Sequence, residues 1–133
     1  MPAVVVDTHS IVWCLSNDPR LSQTALRALD SATDESQPIY VPAICLVELT
    51  YLVEKGRLPA EARERLIGAI DDPITPCRLA PLDRGVVDAV RLVNRDEVPD
   101  LPDRIVAATA CALRVPLISR DARIRMSSVE TIW

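Results

Sequence analysis

Val4-Val5-Val6-Asp7-Thr8-His9-Ser10-Ile11-Val12-Trp13 is the stretch from which the fold is read. Residues 3–6 form a short apolar run rich in β-branched side chains, the composition of a strand, and the run ends on an acid. Beyond it Ile11, Val12 and Leu15 share a helical face until Asn17-Asp18-Pro19 interrupts the pattern. The same alternation continues outward. Ser22 is a good N-cap for a helix carrying Ala25, Leu26, Leu29 and Ala32. Residues 38–41 read as a strand. Pro42 then suits the first position of a helix that passes Leu46, Leu49 and Val53 to Gly56, apolar nearly all round and so predicted to be deeply packed. Pro59 opens a helix with Ala62, Leu66 and Ile70 on one side, closed by Asp72-Pro73. Residues 77–82 predict a strand, and Asp83 caps a helix with Val86, Ala89, Val90 and Val93. An acidic, proline-broken stretch over 96–103 leads to a small-residue helix over 105–113. Residues 115–119 predict a strand followed by Asp121, and 129–133 a last edge strand. Strands alternating with helices imply βαβ units around a parallel sheet, an α/β domain spanning 1–133.

The chain has 133 residues, 49% hydrophobic and 26% charged, which fits one soluble globular domain rather than a disordered one. No run approaches the ~18 apolar residues of a membrane helix. The N-terminus lacks a basic segment and meets Asp7 too early for a signal peptide, so a cytoplasmic protein with no membrane partner is expected. Cys14, Cys45, Cys77 and Cys111 are scattered without metal or redox spacing, and read as small buried hydrophobes with free thiols. The net charge of −4 argues against a passive phosphate-binding surface, unless bound cations offset the acid. Lys55 is the only lysine among 15 basic residues. Arginine suits bidentate contact with phosphate, although a GC-rich coding sequence explains the bias equally well.

Four acids stand out. Asp7 and Asp121 directly follow apolar strands, and in an open α/β sheet sites form outside the carboxyl ends of the strands. Glu48 lies among Ala43, Ile44, Cys45, Leu46, Val47 and Leu49, where an unpaired buried charge is very costly. A cation or an arginine must accompany it. Asp103 sits at a helix start, three residues after Asp100, with which it shares a face if the helix begins near Pro99. Taken singly, Asp7 as a strand-end turn and Asp103 and Asp121 as helix caps are equally good readings. Jointly, four carboxylates are the oxygen donors that a hard divalent cation prefers.

In order and context, Asp7, Glu48, Asp103 and Asp121 resemble the acids of the PIN-domain family, above all the VapC-type toxins of bacterial toxin–antitoxin pairs. The resemblance rests on Val5–Trp13, on Val41-Pro42-Ala43-Ile44-Cys45-Leu46-Val47-Glu48-Leu49, on Asp100-Leu101-Pro102-Asp103-Arg104-Ile105 with the alanine-rich run after it, and on Val115-Pro116-Leu117-Ile118-Ser119-Arg120-Asp121. It runs nearly end to end. It implies a three-layer α/β/α fold with a central, mainly parallel sheet and an endoribonuclease dependent on Mg²⁺ or Mn²⁺ that leaves 5′-phosphate and 3′-hydroxyl ends. A cognate antitoxin covering the site and a homodimer are implied as well. Asp7 and Asp103 would be the surest metal ligands. Glu48 and Asp121 would complete the catalytic acidic set, directly or through water. Asp100 would be an accessory acid, and Thr8 a hydroxyl beside the first aspartate, a position that helix capping alone would also explain.

Around this set, His9 is the only histidine and suits a packing or surface role better than proton transfer. Trp13, one turn later, suits the core or a dimer contact. Arg114, Arg120, Arg123 and Arg125 make the C-terminal tail locally basic, with Arg120 and Arg123 as candidate RNA contacts or members of a solvated face. With aromatics at 3% and no Phe, base stacking is not expected. Two rivals remain. An aspartyl-phosphate domain would place a second acid two residues after Asp7, where His9 stands, or a late lysine, which the chain lacks. A metal-free RNA- or protein-binding module of the same fold would not need the acid set. No G-x-S-x-G elbow or glycine-rich phosphate loop is present.

Overall fold

The computed structural model describes residues 2–133. Five short strands, β1 (Val4–Val6), β2 (Ile39–Pro42), β3 (Cys77–Ala80), β4 (Leu117–Ile118) and β5 (Thr131–Ile132), form one sheet in the order β3-β2-β1-β4-β5. All four pairings are parallel, so the expected mainly parallel sheet is parallel throughout. Among the described residues seven helices flank it: α1 (Thr8–Leu15), α2 (Gln23–Asp34), α3 (Ala43–Glu54), α4 (Ala60–Asp71), α5 (Arg84–Ala89), α6 (Leu101–Leu113) and α7 (Ala122–Met126). The result is a three-layer α/β/α arrangement. α2 packs on β1, β2 and β5, whereas α6 packs on β1 and on α5.

Strand β1 explains the layers. Val4, Val5 and Val6 are all buried, as a central parallel strand covered on both faces requires. The chain moves from β1 outward to β2 and β3, then crosses back to β4 on the other side of β1. That reversal puts a crevice between the carboxyl ends of β1 and β4, the switch point at which ligands bind in such sheets. The buried Ser10 hydroxyl donates to the Ile118 carbonyl at 3.3 Å and ties α1 to β4 across it.

Several boundaries differ from the expectations. Pro42 is the last residue of β2 and the N-cap of α3, one position before the helix. α3 is not deeply packed: only Cys45 and Leu49 are buried, and Val47 is 62% exposed and Tyr51 56%. An apolar composition alone does not say how many neighbours a helix acquires. β3 stops at Ala80, because Pro81 has no N–H with which to continue the ladder. α5 ends at Ala89 and tightens into a 3₁₀ turn over Val90–Leu92. α6 begins at Leu101 rather than 105, since Pro102 lies in the first turn, where a missing N–H costs nothing. Arg114 adopts a left-handed backbone (φ 58°) to turn the chain from α6 towards β4. The four cysteines are free thiols. Cys45 and Cys77 are buried, Cys14 and Cys111 only partly so. Among the described residues no helix is long and apolar enough to cross a membrane.

Candidate functional site

Asp7 follows β1 and is the N-cap of α1, its Oδ1 accepting from the Ser10 backbone N–H at 3.0 Å. Asp121 follows β4 after Ser119 and Arg120 and caps α7, its Oδ1 accepting from the Ile124 N–H at 3.0 Å. A capping aspartate needs one oxygen for its helix. Oδ2 of each makes no hydrogen bond among the described residues, so capping and a place in a site are compatible. For Asp103 the expected cap is corrected. Asp100 is the N-cap of α6 and accepts from the Asp103 N–H through Oδ2 at 3.1 Å, which leaves the Asp103 carboxylate unused by its helix.

Glu48 comes from the middle of α3. Its Oε1 accepts from Thr8 Oγ1 at 2.9 Å, a bond between residues 40 apart in the chain. Thr8 is therefore a buried support for Glu48 rather than a cap, the capping role at α1 being filled by Asp7. Burial pushes the Glu48 carboxyl above its ordinary pKa and the Thr8 hydroxyl opposes that rise. Among the charges around it, Asp100 and Asp7 raise it further and His9 lowers it.

All four acids line one cavity of about 540 Å³ at the carboxyl edge of the sheet, within the ~300–1,000 Å³ range of small-ligand sites. Their mutual influence is registered most strongly at Asp103. Burial, then the charges of Asp100, Asp121, Glu48 and Asp7, push its carboxyl up to about 7. The N-termini of α1, α6 and α7 all open on this cavity, and their partial positive charges offset some of the repulsion. No arginine or lysine does so directly. Among the described residues the only ion pairs are Arg20–Asp18 and Arg84–Asp88. A half-buried set of four carboxylates without a basic partner, offering only oxygen, fits a hard divalent cation. Among the described residues no three of these side chains already stand close enough to form a finished metal cage.

The remaining candidates divide. Arg120 lines the cavity, whereas Arg123 is exposed on α7 outside the lining. Asp100 is exposed and acts on Glu48 and Asp103 through its charge rather than as part of the wall. His9 does line the cavity, exposed, with its ring 5.6 Å from that of Trp13. Trp13 is buried against Trp133, as a core position would be, and also forms part of the wall. Sequence reasoning missed Arg20 and Val106, which complete the lining. The only signal for Arg20 was its place after the Asn17-Asp18-Pro19 break, and nothing in that spacing says that the loop folds back over α1.

The PIN domain family model matches residues 4–129. Two solved structures share the fold over nearly the whole chain. VapBC2 from Rickettsia felis, bound to a DNA fragment from its promoter, superposes with a TM-score of 0.72 at 15% identity, covering 97% of this chain and 96% of that one. FitAcB from Neisseria gonorrhoeae superposes with a TM-score of 0.61 at 23% identity, covering 96% and 95%. No curated relative matches the chain.

Proposed function

The chain belongs to the PIN-domain family, and from that premise we propose that it is an endoribonuclease dependent on Mg²⁺ or Mn²⁺ that acts in the cytoplasm as the toxin of a toxin–antitoxin pair. The observation that carries this reading is the convergence of Asp7, Glu48, Asp103 and Asp121, delivered by four different segments, on the wall of one cavity.

Asp7, Asp103 and Asp121 are the residues to hold the metal, with Glu48 as a further ligand or as the group that orients a water. When bound, the metal supplies neutralisation of a phosphate oxygen and a lowered pKa for a water. The chain's own contribution is positional. Capping bonds to Ser10 and Ile124 lock the rotamers of Asp7 and Asp121, and Asp100 relieves Asp103 of capping its helix. Thr8 holds Glu48 at a fixed orientation and favours its ionised form. Hydrolysis adds water across the P–O3′ bond and leaves a 5′-phosphate and a 3′-hydroxyl. Arg120 on the rim is the residue to meet the RNA backbone. A cognate antitoxin that covers the cavity and a homodimer complete the reading. VapBC2 and FitAcB are toxin–antitoxin complexes of the same fold, and Val47 and Tyr51 offer an exposed apolar surface for a protein contact.

The test is to map cleavage in total cellular RNA with purified protein, with and without chelator. The expected outcome is discrete cuts that chelator abolishes and Mg²⁺ or Mn²⁺ restores. Cleavage indifferent to chelator would overturn the metal assignment. RNA or protein binding without any cleavage would establish the catalytically silent module instead, and an acyl-phosphate trapped on Asp7 the phosphoryl-transfer domain.

A further inference from the structure

We infer that Arg20 and Arg120, packed against Trp13 on the rim of the acid cavity, form an anion subsite that grips an RNA backbone phosphate next to the one that is cleaved. This rests on the ribonuclease reading and adds to it a positioning device for the strand.

The cavity is lined by two unlike kinds of group. Four carboxylates belong to its lining, and so does a cluster about Trp13 formed by Arg20, Arg120 and His9. An acidic wall repels a polyanion, and a chain of net charge −4 has no general surplus of cations to offset that. Cations placed on the same cavity do so locally. Both guanidiniums are held against the indole, Arg20 at 5.0 Å from the ring centroid and Arg120 at 5.7 Å, a cation–π arrangement that limits their rotamers without using their N–H donors.

Their remaining partners differ. Asp18 pins Arg20 as a fork, with Nε donating to Oδ1 at 3.0 Å and Nη2 to Oδ2 at 2.7 Å. Asp18 Oδ1 also accepts from the Arg20 backbone N–H at 2.9 Å. Nη1 of Arg20 makes no hydrogen bond among the described residues, and neither does any part of the Arg120 guanidinium. Arg120 thus brings a full positive charge and Arg20 an oriented donor whose charge Asp18 partly cancels. The indole is 7% exposed, so it has almost no face left on which a base could stack. What the rim presents outward is guanidinium N–H, the donor that matches a phosphate.

The experiment measures binding of a labelled single-stranded RNA carrying the cleaved sequence to Asp7→Asn protein in Mg²⁺, as a function of salt, in parent, Arg20→Gln, Arg120→Gln and double-variant backgrounds. At 0.1 M salt the double variant is expected to bind about tenfold more weakly, with its logarithmic salt slope reduced by about 0.7 for Arg120 and by less for Arg20. In the otherwise wild-type enzyme the same pair of changes raises KM with kcat within about twofold. Replacing a flanking phosphate by neutral methylphosphonate weakens binding to the parent but not to the double variant. Arginines that serve only to pack Trp13 would lower Tm and leave the salt slope and the methylphosphonate effect unchanged, which overturns the inference while wild-type cleavage still stands. Loss of competition by polyglutamate with RNA affinity intact would assign the rim to an acidic protein and overturn it too. A wild-type protein that neither binds nor cleaves RNA would instead bring down the ribonuclease reading beneath it.

Discussion

The two ends of the sheet carry hollows of similar size and opposite character. At the carboxyl end lies the acid cavity of about 540 Å³; at the amino end, beside residues that precede β2 and β3, lies another of about 460 Å³. The second is lined by Gln37, Pro38, Thr75, Pro76 and Arg78 among others, and contains no carboxylate. Its one charge is already engaged: Arg78 donates to the carbonyls of Thr75 and Cys77 at 2.6 Å and of Pro73 at 3.0 Å, closing the turn before β3. In the first, four carboxylates share one lining and none of them forms an ion pair, although Arg20 and Arg120 stand on the same cavity. Volume therefore does not separate the two cavities. Unpaired carboxylate does, because a fold keeps half-buried like charges on one wall at a cost in stability unless something neutralises them.

The contrast breaks first at Asp7. Asp7→Asn keeps a capping oxygen for Ser10, so the fold should persist, but RNA cleavage should fall by more than about a hundredfold, since even indirect supports of metal ligands commonly cost 10–100-fold. Gel or fluorescence assays with matched circular dichroism would check this, and wild-type rates in the purified variant would refute the assignment. Thr8→Val should come next, with cleavage reduced about tenfold. Without the hydroxyl, the larger of the two influences that oppose burial at Glu48 is lost and only His9 remains, so the acid limb of the pH–rate profile should shift upward. Arg78→Gln at the other end should do the reverse of both, lowering stability by about 1–2 kcal/mol in denaturant titration while leaving cleavage unchanged.

The smallest effect is electrostatic. Asp103 has a folded pKa of about 7 against an ordinary value of 3.8, so its contribution to stability is fully present below pH 3.8 and is lost as pH rises through 7. Because the group is only half-buried, solvent screening reduces the loss to on the order of 1 kcal/mol, or about 3 °C in Tm. In chelator, Asp103→Asn should melt at the wild-type temperature near pH 4 and about 3 °C above it at pH 8, with Mg²⁺ reversing the order. Parallel melting curves across that pH range would remove the argument for crowding.

Much of this was legible in the chain. The run of valines before Asp7, the Ser22 cap and the apolar spacing of α2 and α4 are local signals, and each element formed where its own residues placed it. The acids were legible for a similar reason. Three of them sit at strand ends or helix starts, and Glu48 is conspicuous in an apolar helix. The misreadings share a cause. The exposure of Val47 and Tyr51 depends on what packs beside α3, and the choice of Asp100 over Asp103 as cap depends on where α6 begins.

By itself the sequence settled the alternation of strands and helices and singled out four carboxylates as candidates, because hydrophobic period and capping chemistry operate over a few residues. Only the folded chain decided the rest: that α6 brings Asp103 onto the same cavity as Asp7, that Thr8 reaches Glu48, and that Arg20 lies over Trp13 at the mouth of the cavity. Those are contacts between segments distant in sequence. Their distances follow from sheet order and helix packing, which no local pattern encodes.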